Sequence, residues 1–174
     1  MIVLFIGPLK LYNRQKGVLH LTNYEKLLDD ADKHHVIVTE NFDLSDTRLK
    51  GLYCDSVIAI DKSLDNIDKS CVLAEELGHH VTTSGDIIDQ SSAANRKQER
   101  RARVWAYYYM IKFSDIVNAY KQGCRNRYEI ADCLNVTEEF LQNAIDYYRD
   151  KYGKFTTYNK YVIYFEPLGI LEMR

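Results

Sequence analysis

The run CVLAEELGHHV at residues 71–81 is the feature that most constrains how this chain folds. Its apolar residues leave only a narrow polar strip at helical spacing, which predicts a largely buried helix that begins near residues 64–68. Two adjacent acids, Glu75 and Glu76, lie in this strip, and no lysine or arginine occurs between residues 71 and 81. Because a buried carboxylate without a partner is costly, a bound cation is one natural solution.

The spacing inside this run is typical of a metal-binding helix. Glu75 and His79 are four residues apart and therefore share one helix face, while Glu76 lies beside them, where it can reach a water on the same ion. This is the geometry of the HExxH zinc motif with Glu75 in the place of the first histidine, and carboxylate oxygen is also a zinc ligand. Gly78 is a poor helix former that allows another backbone or a substrate to approach closely.

A second helix, predicted over residues 94–112, supplies a third candidate ligand. One face of this helix carries Glu99 together with Ala102, Trp105, Ala106 and Tyr109, while arginines occupy the other faces. With the first helix, this predicts a Zn²⁺ ion held by two or three protein ligands beside an open water position, as in catalytic zinc sites. Glu76 would then accept a proton from the water and pass it to a leaving amine.

Each of these signals also has a purely structural interpretation. An acidic pair on a helix is usually solvated, and neighbouring histidines often have no function. Glu99 lies among Arg96, Arg100 and Arg103, and a surface ion pair with one of them is the commonest arrangement for such a residue. On the residues alone, a metal site and a cluster of ion pairs both remain open.

Two runs, CVLAEELGHH and ERRARVWA, together resemble the ImmA/IrrE metallo-endopeptidases, which prophages and integrative elements of bacteria commonly encode. In that family one helix carries HExxH, and a following helix carries a glutamate within E-x-x-A-x-x-(F/W)-A. Glu99, Ala102, Trp105 and Ala106 match the second motif position for position. The resemblance covers residues 22–112 well and the rest loosely.

The resemblance implies a role for each matching residue. It makes Glu76 the general base, and His79 and Glu99 ligands of Zn²⁺. Glu75 departs from the motif, although EELGH resembles a recurrent variant among phage-type members. Asp86 and His80 are the alternative ligands if Glu75 does not bind, and each could equally be a supporting or loop residue. The resemblance further implies a protein substrate, namely a helix–turn–helix repressor of a prophage or mobile element.

The predicted fold is α+β, with a small N-terminal β-sheet packed on a zincin-like helix and the helices that follow it. Residues 1–21 form an extra N-terminal segment, with translation from Leu21 as the alternative; residues 22–112 form the metallopeptidase core, and residues 113–174 form a helical appendage. Within the appendage we predict a helix capped by Ser114, a helix–turn–helix-like pair, and a short terminal strand over residues 161–165. Asp55-Ser56 predicts a tight hairpin turn in the N-terminal sheet.

Composition limits the other function classes. The formal net charge of −2 argues against non-specific binding to DNA or an acidic membrane, and no stretch is long enough to span a bilayer. Four widely spaced cysteines without a CxxC pair indicate a reducing compartment, hence the cytoplasm.

A non-catalytic metal- or partner-binding member of the same fold is the first alternative. A DNA-binding regulator acting through residues 127–151 is the third, disfavoured because Glu138 and Glu139 would face phosphates.

Overall fold

The computed structural model describes residues 21–47, 49–82 and 92–173. The elements are α1 (Asn23–Lys33), β1 (Ile37–Phe42), β2 (Gly51–Cys54), β3 (Val57–Asp61), α2 (Asn66–Thr82), α3 (Ser92–Met110), α4 (Phe113–Lys121), α5 (Arg127–Leu134), α6 (Glu138–Tyr152), β4 (Phe155–Tyr158), β5 (Tyr161–Phe165) and β6 (Leu168–Glu172). The α+β class is therefore confirmed. The loop with Asp86 and the predicted N-terminal segment up to residue 20 lie outside the described residues.

The N-terminal sheet has the strand order β1-β3-β2, with β1 parallel and β2 antiparallel to β3. Asp55 and Ser56 connect β2 to β3, and both have positive φ angles of 45° and 62°. Such a two-residue turn matches the twist of the strands it joins, so the predicted tight hairpin is confirmed. Ile58 and Ile60 of β3 are fully buried. The side of the sheet that carries them therefore faces the helices.

Helix α2 begins where Asp65 accepts the backbone N–H groups of Ile67 and Asp68 through one carboxylate oxygen, both at 2.8 Å. This satisfies two amide donors that would otherwise lack a partner at the helix start. The helix buries Leu73 and Leu77 almost completely. The predicted buried helix over residues 71–81 is thus confirmed.

Helices α2 and α3 cross in direct backbone contact at Gly78. A Cβ atom at this position would lie 2.3 Å from the carbonyl oxygen of Ala102 on α3. Ala102 and Ala106, whose side chains are small, are both fully buried at the crossing. The sequence prediction that Gly78 admits another backbone is therefore confirmed, and the close crossing fixes the position of α3 relative to α2.

The start of α4 differs from the prediction. The helix begins at Phe113, and Lys112 occupies the N-cap position, so the cap predicted at Ser114 is wrong. The backbone N–H of Lys112 donates to an oxygen of Asp115 at 3.3 Å, while the Ser114 hydroxyl lies inside the first turn. An acid three residues beyond the N-cap can fulfil half of a capping box without a capping hydroxyl.

Residues 127–152 contain the helices α5 and α6, with Asn135 in the left-handed conformation between them and Thr137 accepting the backbone N–H of Phe140 at 3.1 Å. Helix α6 packs against α3 through Tyr148, which is almost fully buried. Its hydroxyl donates to the Ile111 carbonyl oxygen at 2.7 Å. The C-terminal helices are therefore joined to the core through a satisfied buried hydrogen bond.

The chain ends in a three-stranded antiparallel sheet, β4-β5-β6. The terminal strand predicted over residues 161–165 is confirmed as β5, and the strands on either side of it, β4 and β6, were not predicted. Asn159, with a φ angle of 53°, turns β4 into β5, and Pro167 lies in the turn between β5 and β6. Within the described ranges, none of the helices has both the length and the apolar character that crossing a membrane requires.

Candidate active site

A pocket of about 390 Å³ lies where α2, α3, the start of β2 and the start of α6 meet. All four predicted site residues line it. These residues are Glu75, Glu76, His79 and Glu99. The pocket therefore brings together side chains that the sequence places on two separate helices.

His79 and Glu99 are in contact across the α2–α3 crossing. The Nε2 atom of His79 lies 3.2 Å from Oε1 of Glu99, and the Nη2 atom of Arg103 lies 3.2 Å from Oε2. The Glu99 side chain is half exposed, at 50%, so it sits at the rim of the pocket and not in the core. Glu99 thus meets both the histidine and one of the arginines that the sequence places near it.

Burial dominates the electrostatics of the two adjacent acids on α2. Desolvation raises the pKa of Glu75, and the positive charge of Arg103 partly opposes this effect. Desolvation also raises the pKa of Glu76, to about 7, and the negative charges of Glu75 and Glu99 act in the same direction. A carboxyl with a pKa near neutrality can both accept and donate a proton at physiological pH.

The position of Glu76 is fixed by the first residues of β2. A Cβ atom on Gly51 would lie 2.4 Å from Cγ1 of Val72 and 3.1 Å from an oxygen of Glu76, so only glycine fits between strand and helix without a shift. A hydrogen bond from the Tyr53 backbone N–H favours the charged form of Glu76 and lowers its pKa slightly against burial. Strand β2 therefore places one main-chain donor beside the candidate base.

His80 has a different role from His79, its neighbour in sequence. Its Nδ1 atom lies 2.9 Å from the Tyr53 hydroxyl, and its ring packs edge-on against His34. It does not line the pocket. Of the two alternative ligands, His80 therefore supports the β2–α2 packing, and Asp86 lies outside the described residues.

The donor set is chemically suitable for zinc. Two ligands of a tetrahedral zinc ion, nitrogen and oxygen, are about 3.3 Å apart, given bond lengths near 2 Å. The separation of 3.2 Å between His79 and Glu99 agrees with this value, and it agrees equally with an ion pair. In the described part of the chain, however, no three His, Cys, Asp or Glu side chains converge closely enough to form a metal site. Glu75 lines the same pocket without completing such a group.

Sequence reasoning missed the side of the pocket opposite α2. Four residues of this wall come from the start of α6 and the position before it. They are Thr137, Glu139, Phe140 and Asn143. Nothing in the sequence links residues so far from the HExxH-like run to the site, except that a capped, amphipathic helix needs a surface to pack on.

Comparison with known proteins agrees with this arrangement. The family model of the IrrE N-terminal-like domain, a peptidase family, matches residues 31–146. This range includes α2, α3 and most of α6, and hence every element that lines the pocket. No curated protein and no solved structure gives a significant match. The chain therefore belongs to the ImmA/IrrE family of metallopeptidases, whose model covers two-thirds of its length.

Proposed function

We propose that this chain is a zinc-dependent endopeptidase that cleaves a protein substrate. The observation that carries the proposal is the contact between His79 and Glu99 at 3.2 Å beside Glu76, whose pKa lies near 7. His79, Glu99 and Glu75 would hold the metal. The family membership supports this chemistry, because its members are metallopeptidases.

In the proposed mechanism each residue has a distinct task. Zinc, when bound, would polarise the scissile carbonyl and activate a water molecule. Glu76 accepts the proton of the attacking water and then returns it to the leaving amine. The Tyr53 N–H holds the carboxylate in place, and Arg103 fixes the orientation of Glu99 through its second oxygen.

We further propose that the substrate is a helix–turn–helix repressor of a prophage or mobile element, in the cytoplasm. The resemblance of the two helix motifs to the ImmA/IrrE peptidases supports this substrate class. A DNA-binding role for residues 127–151 is less well supported, because the first turn of α6 carries Glu138 and Glu139 and repels phosphates.

The first test is the zinc content of the purified protein, measured by elemental analysis. We expect near-stoichiometric zinc in the parent and in His80→Gln, and its loss in His79→Ala and Glu99→Ala. His80 is the matched control because it neighbours His79 but does not line the pocket. Zinc that persists in both pocket variants would refute the ligand assignment.

The second test is cleavage of a helix–turn–helix repressor, the proposed substrate class. Glu76→Gln keeps the shape of the side chain but cannot accept a proton, so we expect intact folding, retained zinc and no cleavage. Unchanged cleavage by this variant would exclude Glu76 as the base.

One observation favours a second candidate, the non-catalytic member that binds metal or a partner. Glu99 already has an ion pair at each oxygen, to His79 and to Arg103. The contact with His79 can hold α2 and α3 together without a metal, and Arg103 pairs with Glu99 within α3. A folded protein that takes up no zinc even when zinc is added would support this candidate.

A further inference from the structure

The side of the pocket formed by α6 carries an acidic side chain that has no role in the proposed metal site. Glu139 lines the pocket from this wall. The preceding residue, Glu138, faces away and pairs with Arg127 at 3.3 Å. Across the described ranges, the Glu139 side chain has neither an ion pair nor a hydrogen bond, and it is exposed. Its charge nevertheless acts on Glu75 and on Lys50 across the pocket.

Two of the acidic residues that line the pocket form ion pairs with basic residues that also line it. Lys50 pairs with Asp68 at 3.0 Å, and Arg103 pairs with Glu99 at 3.2 Å. The carboxylates that remain are Glu75, Glu76 and Glu139, all of which line the pocket. A divalent ion at the proposed site, together with Lys50 and Arg103, would supply four positive charges against the five carboxyl groups that line the pocket, which include Asp68 and Glu99. Glu139 would then be the unbalanced charge of the groove.

The surroundings of Glu139 suit a long basic side chain. Val72, which is only partly buried, also lines the pocket and offers apolar surface along which the methylene groups of lysine or arginine can lie. Asn143 lies one helical turn beyond Glu139 on the same face of α6 and lines the pocket as well. Its amide can hydrogen-bond to the main chain of an extended segment.

We infer that α6 forms the specificity wall of the active site, and that Glu139 selects a protein segment with a lysine or arginine side chain close to the bond that is cleaved. The inference rests on the proposed peptidase function, since it names the chemistry of the substrate of that same site. It assigns to residues 137–143 a role in recognising protein substrate instead of DNA.

The test measures binding without cleavage. The full-length Glu76→Gln protein is titrated into short fluorescein-labelled peptides of alanine and serine that carry one lysine, one glutamate or neither, and the fluorescence anisotropy is recorded. We expect the lysine peptides to bind about tenfold more tightly than the glutamate peptides, a difference of about 1.4 kcal/mol. The preference should weaken as the salt concentration rises.

Variants at Glu139 decide whether this residue causes the preference. We expect Glu139→Gln to abolish it and Glu139→Lys to reverse it, with helical content confirmed by circular dichroism. Asp150→Lys is the matched control, because Asp150 lies on the same helix but does not line the pocket. This variant should keep the preference for lysine.

The outcomes separate this inference from the proposed function. A preference that Glu139→Lys leaves unchanged, or the absence of binding by every peptide, would overturn the inference while repressor cleavage could still occur. A preference that follows the charge at residue 139, in a protein that cleaves no repressor, would support the inference and count against the peptidase function alone.

Discussion

The substitution Gly78→Ala tests whether the crossing of α2 and α3 determines both the stability and the site of this protein. The new Cβ would lie 2.3 Å from the carbonyl oxygen of Ala102, 2.9 Å from its carbonyl carbon and 3.0 Å from its Cα. All three atoms belong to the backbone of α3. A rotamer change therefore cannot relieve the contact, and the helices must move apart.

Two opposing terms give the expected size of the effect. Overpacking of a core costs about 1–3 kcal/mol. The cost of Gly78→Ala should lie at the upper end of this range, because the new Cβ meets backbone atoms. Replacing glycine by alanine within a helix stabilises it by about 1 kcal/mol. We therefore expect the free energy of unfolding to fall by about 2 kcal/mol, equivalent to a decrease in Tm of about 4–8 °C.

The same movement should weaken zinc binding, since the contact between His79 and Glu99 at 3.2 Å bridges the two helices that separate. Thermal unfolding and a zinc titration of the variant measure the two effects. Gly169→Ala is the control, because a Cβ there would be 3.8 Å from its nearest neighbour, an ordinary contact. An increase in Tm for Gly78→Ala, as helix propensity alone would give, would refute the close crossing.

Three further predictions concern the site and its supports. In the metal-free protein, burial raises the pKa of Glu76 from 4.5 to about 7, so the folded state binds more protons than the unfolded state between these values. The free energy of unfolding should therefore fall as pH rises through this window, by on the order of 3 kcal/mol, and Glu76→Gln should flatten the decline measured by urea unfolding. Tyr148→Phe removes the hydrogen bond to the Ile111 carbonyl at 2.7 Å; we expect a loss of about 1–3 kcal/mol in urea unfolding, and a loss near zero would contradict this. Arg103→Met removes the ion pair with Glu99 at 3.2 Å; zinc affinity, measured by titration calorimetry, should fall about tenfold, and an unchanged affinity would exclude the orienting role.

Local chemistry made much of the fold predictable from the sequence. The Asp55-Ser56 turn depends on a few neighbouring residues, and the structure has it. Helix α2 was predictable because its apolar residues bury one continuous face. The N-cap predicted at Ser114 is wrong for an equally local reason. Asp115 accepts the backbone N–H of Lys112, and Lys112 therefore occupies the N-cap position.

Features that depend on distant parts of the chain were not predictable. Arg96, Arg100 and Arg103 all lie within four residues of Glu99. Arg103 is the one that shares the pocket with α2, which only the crossing at Gly78 decides. The α6 wall likewise depends on tertiary packing. Strands β4 and β6 are short, and each is stabilised by pairing with β5.

The replacement of the first histidine of the motif by Glu75 changes the charge of the proposed site and not merely one ligand. Two imidazoles and one carboxylate leave a divalent ion with one uncompensated positive charge, whereas Glu75, His79 and Glu99 would neutralise it. A metal site with a smaller positive charge lowers the pKa of the neighbouring Glu76 carboxyl by a smaller amount. Glu76 would thus keep more of the raised pKa that burial provides, which favours its second task, the return of the proton to the leaving amine. The same neutrality leaves less positive charge to offset Glu139, so the electrostatic preference for a basic substrate residue should be stronger here than at a site with two histidines.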